Sequence, residues 1–158
     1  MSSLEQPRYH KYKKLMPQRI REILLVSSYY DAFIIEEDGR LSDQIFEEFH
    51  NLSLKTMPHL TRVTSGQEAL QLLQEQSFDL IITTRRLGKI ALDEFATRVK
   101  EIQEIPLILL LNSNLELQYI QPIKLQKKID NIFIWNGDSK LFIAIIKFIE
   151  DRLNVNHD

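Results

Sequence analysis

The chain has 158 residues, 44% hydrophobic and 27% charged, with a formal net charge of −2. That length fits one domain with a real core, and the near-balanced charge argues against a dedicated nucleic-acid binder, which carries a basic stripe. Cysteine is absent, which excludes disulfides, thiolate nucleophiles and thiolate metal sites. The N-terminus is polar and lacks an apolar signal core. The most apolar stretch, 141–149, is broken by Lys147 and too short to span a bilayer, so a cytoplasmic protein is expected.

Residues 1–20 read as a basic leader with Arg8, Lys11, Lys13, Lys14 and Arg19, and residues 21–158 as the folded domain. The leader fits a solvated extension, with an arm for an acidic partner as the alternative. Ile23-Leu24-Leu25-Val26 predicts a buried strand. The loop after it holds Tyr29, Tyr30 and Phe33 and an acidic cluster of Asp31, Glu36, Glu37 and Asp38. Leu41, Ile45 and Phe49 recur every four residues and share a helix face. Residues 60–64 alternate apolar and polar, as an edge strand with one wet face does.

Ser65 and Glu68 have capping-box spacing, and the helix they open turns Ala69, Leu70 and Leu73 inward. Leu80-Ile81-Ile82-Thr83 predicts a third strand, and a helix over about 93–103 buries Phe95, Val99 and Ile102. Residues 107–111 are apolar throughout and suit a strand covered on both faces. A helix is expected over 115–128, kinked or split by Pro122. Residues 132–135 predict the fifth strand. Asn136-Gly137 turns the chain, and Asp138 or Ser139 caps a last helix that ends near Leu153. Strict alternation of five strand–helix pairs implies α/β architecture, a doubly wound parallel sheet with helices on both faces. The flavodoxin-like order 2-1-3-4-5 fits best.

Several phrases at consistent spacing resemble the receiver domain of bacterial response regulators. Ser65-Gly66-Gln67-Glu68-Ala69-Leu70 is similar to that family's second-helix start, Phe78-Asp79-Leu80-Ile81-Ile82 to the approach to its phosphorylation site, and Ile105-Pro106-Leu107-Ile108 to its fourth strand. More narrowly, residues 36–42, 134–139 and 153–158 resemble a receiver-like module at the N-terminus of proteins related to phosphoenolpyruvate synthase. The resemblance implies a site of two acids after the first strand and a phospho-accepting aspartate around Mg²⁺, with a Ser or Thr after the fourth strand and a lysine after the fifth. Here the acid pair falls on Ser27 and Ser28, the acceptor on Thr84, the Ser or Thr on Leu111 (Asn112 if the register slips by one) and the lysine on Trp135. Neutral hydroxyls do not replace three carboxylates around a hard dication, and no base is in view to activate the Thr84 alcohol.

The expected reading is therefore a pseudo-receiver: a signalling module of the two-component type without catalysis, cofactor or metal, acting on a protein partner or a downstream domain of the same polypeptide. No nucleic acid or membrane partner is expected. Two alternatives stay open. One is a phosphate-accepting receiver with a displaced site at Asp31, Glu37 or Asp38. The other is a small-molecule or nucleotide binder in the crevice. Arg85 and Arg86 after Thr84 are expected to point to solvent, with an anion-holding pocket as the alternative. Trp135 is expected to close the space that the missing acids leave. The last helix is apolar almost all round, which suggests a second buried face, so Phe142, Ile145, Phe148 and Ile149 are candidates for a homodimer or docking interface.

Overall fold

The computed structural model describes residues 19–28, 58–120, 128–135 and 140–155. They hold five strands, β1 (Glu22–Val26), β2 (His59–Val63), β3 (Leu80–Thr83), β4 (Leu107–Leu111) and β5 (Asn131–Ile134). The described helices are α1 (Gly66–Glu75), α2 (Leu92–Ile102), a 3-10 helix (Asn114–Tyr119) and α3 (Lys140–Val155). All strand pairs are parallel, in the order β2-β1-β3-β4-β5 expected from the alternation of elements. The leader up to residue 18, the helix expected around Leu41, Ile45 and Phe49, and the cap at Asp138 or Ser139 lie outside the described residues.

The period-2 geometry of strands splits the apolar residues between two cores. Leu24, Val26, Ile81, Leu107, Leu109 and Leu111 face α1 and α2, where they meet Leu70, Leu73, Phe95 and Val99. Ile23, Leu25, Leu80, Ile82, Ile108 and Leu110 face α3. Both faces of β1, β3 and β4 are thus covered, which is why these strands are apolar at nearly every position. No residue of β2 is fully buried, in keeping with its place at the sheet edge.

The N-terminal edge of the sheet is pinned by carboxylates. Asp79 Oδ2 accepts the N–H groups of Arg21 and Glu22 at 2.9 and 2.8 Å. Asp130 Oδ2 accepts the Leu107 N–H at 2.7 Å and the Lys100 ammonium at 3.3 Å. These acids hold strand entries together at the end of the sheet opposite the crevice.

At α1 the Ser65 hydroxyl accepts the Glu68 N–H at 3.1 Å, while the Glu68 carboxylate takes the Thr64 hydroxyl at 2.9 Å. Gly66 then donates its N–H to the Leu87 carbonyl at 2.9 Å. The approach is close: a Cβ on Gly66 would lie 2.5 Å from Ile90 Cγ2 and 3.1 Å from Phe95 Cδ1. Gly66→Ala is therefore expected to cost about 1–3 kcal/mol in urea unfolding, as overpacking does. An unchanged midpoint would mean that Ile90 gives way freely.

Two expectations need correction here. The segment after β4 is not an α-helix over 115–128 as far as it is described. It is a 3-10 helix closed by the Ile120 N–H donating to the Leu117 carbonyl at 3.1 Å, and Pro122 beyond it has no N–H with which to extend a helix. Residues 121–127 lie outside the described residues.

The second correction concerns the last helix. Phe142, Ile145 and Ile149 are buried in the chain's own core, so they are not an interface. The reason is geometric: α3 lies on this face of the sheet, and these side chains turn inward onto Ile23, Leu25, Leu80, Ile82, Ile108 and Leu110. Ile20 joins the same core and donates its N–H to Glu150 at 2.7 Å. Only Phe148 of the four candidates is exposed, at 36%, and its ring lies edge-on to Phe133 with centroids 5.8 Å apart. No described helix is long and apolar enough to cross a membrane.

Candidate functional site

The C-terminal ends of β1, β3, β4 and β5 bring Ser27, Ser28, Thr84, Leu111 and Trp135 to one edge of the sheet, where open α/β sheets bind ligands. The register sets the geometry. Val26 pairs with Thr83, and Leu111 with Ile134. The Ser27 N–H donates to the Val63 carbonyl at 3.0 Å, the Thr84 N–H to the Val26 carbonyl at 2.9 Å and the Trp135 N–H to the Leu111 carbonyl at 2.7 Å. These bonds carry the ladder one residue past the strand ends.

Chemically this edge is quiet. Thr84 is 1% exposed, and its hydroxyl donates to the Val26 carbonyl at 3.3 Å. Ser27 is also buried, and Thr83 donates its hydroxyl to the Thr84 carbonyl at 3.0 Å. Leu111 is fully buried on the α1 and α2 side. The oxygens at these positions are alcohols, and that of Thr84 is committed to a main-chain carbonyl. Mg²⁺ takes carboxylates and water in octahedral geometry, and these residues do not fit it. Among the described residues no group of three or more His, Cys, Asp or Glu could hold a metal ion. The acidic cluster at Asp31, Glu36, Glu37 and Asp38 lies outside them.

Trp135 does not close the crevice. It follows Phe133 by two residues, so strand alternation turns it to the α3 face. There it is half-buried, with its ring edge-on to Phe142 and centroids 5.5 Å apart. The same period-2 argument was available from the sequence.

The charged feature at this edge is a pair that sequence reasoning missed. Arg85 is turned inward, and its Nε donates to Glu116 Oε2 at 2.9 Å; the two side chains are only 25% and 12% exposed. Glu116 Oε1 accepts the Asn112 N–H at 2.6 Å. The Arg85 guanidinium lies 4.6 Å above the Tyr119 ring centroid, within cation–π range. Arg86 is exposed, as expected for both arginines. One signal was readable: Glu116 is the single ionisable acid between Asn112 and Ile120, on the loop next to the two arginines.

No family model matches the sequence, and no curated protein does. Many solved structures match it in fold. A CheY-like response regulator receiver domain from Methanospirillum hungatei superposes with a TM-score of 0.64 at 13% identity, over 88% of this chain and 99% of that one. The signal receiver domain of an HD domain-containing protein from Pseudomonas fluorescens gives 0.60 at 22% identity, over 85% and 97%. The receiver domain of a sensor histidine kinase from Pseudomonas aeruginosa, solved with magnesium coordinated in its active-site cleft, gives 0.59 at 17% identity, over 83% and 98%. The chain has the flavodoxin-like fold of CheY-like receiver domains.

Proposed function

We propose that this chain is a non-catalytic pseudo-receiver: a signalling or regulatory module that works through protein contacts and takes no phosphoryl group. One observation carries the reading. The strand-end position where the receiver resemblance calls for an ionised acceptor is held by Thr84, buried and hydrogen-bonded to Val26. A buried alcohol without a base is a poor nucleophile. The neighbouring Ser27 supplies a hydroxyl where that site would need a carboxylate. The described acids Asp79 and Asp130 are engaged at the opposite end of the sheet.

One solved neighbour is the receiver of an HD domain-containing protein, which supports a module that acts on an attached domain or a partner. Placement ahead of a region related to phosphoenolpyruvate synthase rests on the phrases at 36–42, 134–139 and 153–158, most of which lie outside the described residues. The test is incubation with acetyl phosphate and Mg²⁺ followed by intact mass. No added phosphoryl group is expected. An acid-stable or hydroxylamine-labile adduct on the folded protein would overturn the reading.

A further inference from the structure

We infer that Arg85 and Glu116 form a local latch that fixes the segment after β4 against the end of β3, so that this edge holds one conformation without any bound ligand. The inference deepens the pseudo-receiver reading and rests on it for its meaning: a module that takes no phosphoryl group needs another way to set its surface.

The latch joins the two segments that leave the neighbouring strands β3 and β4, beyond the described pairing that ends at Thr83 and Leu109. Arg85 directly follows Thr84, whose N–H donates to the Val26 carbonyl at the end of β1. Glu116 lies in the middle of the 3-10 helix, five residues beyond Leu111, the end of β4. The carboxylate is used on both oxygens: Oε2 holds the guanidinium, and Oε1 holds the Asn112 N–H where the chain leaves the strand. The guanidinium is used twice as well, on Glu116 through Nε and on the face of Tyr119. Such planar, two-sided engagement is the geometry that favours Arg over Lys.

Two main-chain bonds tie this 3-10 segment locally, from the Glu116 N–H to Ser113 and from the Ile120 N–H to Leu117, both at 3.1 Å. A 3-10 helix of six residues is weak on its own. Burial anchors the segment at its far end, where Ile120 is 8% exposed and joins the core on the α1 and α2 side, but not along the helix itself, where Leu115, Leu117 and Tyr119 are 75%, 45% and 62% exposed. The one inward side chain between them is Glu116. Between the end of β4 and the Ile120 anchor, the pair is the side-chain tie that holds the helix to the end of β3 with its three large side chains outward.

The test is amide hydrogen exchange on the wild type, Arg85→Gln, Glu116→Gln and the double variant. Glu116→Gln keeps an oxygen for the Asn112 N–H but loses the anion that faces Arg85. Each single variant should speed exchange in 112–120 by about ten-fold or more, while Ile81, Ile108 and Leu109 stay protected. The double variant should add little, because the two changes break one contact. Unchanged exchange in 112–120 in the single variants would overturn the latch. So would equal loss of protection at the strand amides in these variants and in Arg85→Lys, since the pair would then belong to the global core. In Arg85→Lys, release confined to 112–120 would support the latch. The two readings fail separately: a phosphoryl adduct on the wild type ends the pseudo-receiver reading and leaves the exchange result standing, and unaltered exchange ends only the latch.

Discussion

Phe142→Ala is expected to lower stability by about 3–5 kcal/mol in urea unfolding, the cost of emptying a large buried ring site. The ring is 1% exposed, lies in the core on the α3 face of the sheet and meets Trp135 edge-on. Phe148→Ala, six residues along the same helix, should cost about 1 kcal/mol or less, as partly exposed positions do. The contrast separates a core helix from a docking helix. Similar losses at both positions would mean that Phe148 is buried in solution by something that covers this face.

Thr84→Asp should be the most damaging change at the crevice. It places a carboxylate where the present side chain is 1% exposed and where the adjacent guanidinium already holds Glu116. An incompletely paired buried charge costs about 2–4 kcal/mol or more, so a loss of that size is expected at pH 7. The pH dependence fixes the sign. Burial raises the folded pKa of the new carboxyl above its unfolded value of about 3.9. The folded state then binds the proton more tightly, so the variant is least impaired below about pH 4 and loses stability as pH rises toward the folded pKa. Thr84→Asn, neutral throughout, should show no such slope. Rescue of Thr84→Asp by millimolar Mg²⁺ at pH 7 would show that the crevice still offers a cation site.

The fold was legible because its signals are periodic. The apolar runs at 80–83 and 107–111 coincide with β3 and β4, and the expected strand order follows from alternation and right-handed crossover alone. The other strand limits moved by a single residue at either end, where local pattern is weakest. The candidate positions Ser27, Ser28, Thr84, Leu111 and Trp135 do converge on one edge, since strand ends fix them.

What the sequence did not yield was side-chain direction beyond the strands. Counting apolar residues on the last helix overstated its free surface, because the count does not say which of those side chains the sheet buries, as it does Phe142, Ile145 and Ile149. Trp135 was misplaced by reasoning from the empty site rather than from its spacing to Phe133. Glu116 escaped because its partner Arg85 lies 31 residues away, and no local pattern links a loop after one strand to a loop after another.

Amide spectra of the wild type titrated with Mg²⁺ and beryllofluoride would reveal any phosphoryl-accepting site in this fold. No saturable shift is expected at Ser27, Ser28, Thr84 or Asn112, and the spectrum at the end of the titration should match that at the start. Saturable shifts centred on those amides and dependent on both components would contradict the pseudo-receiver reading.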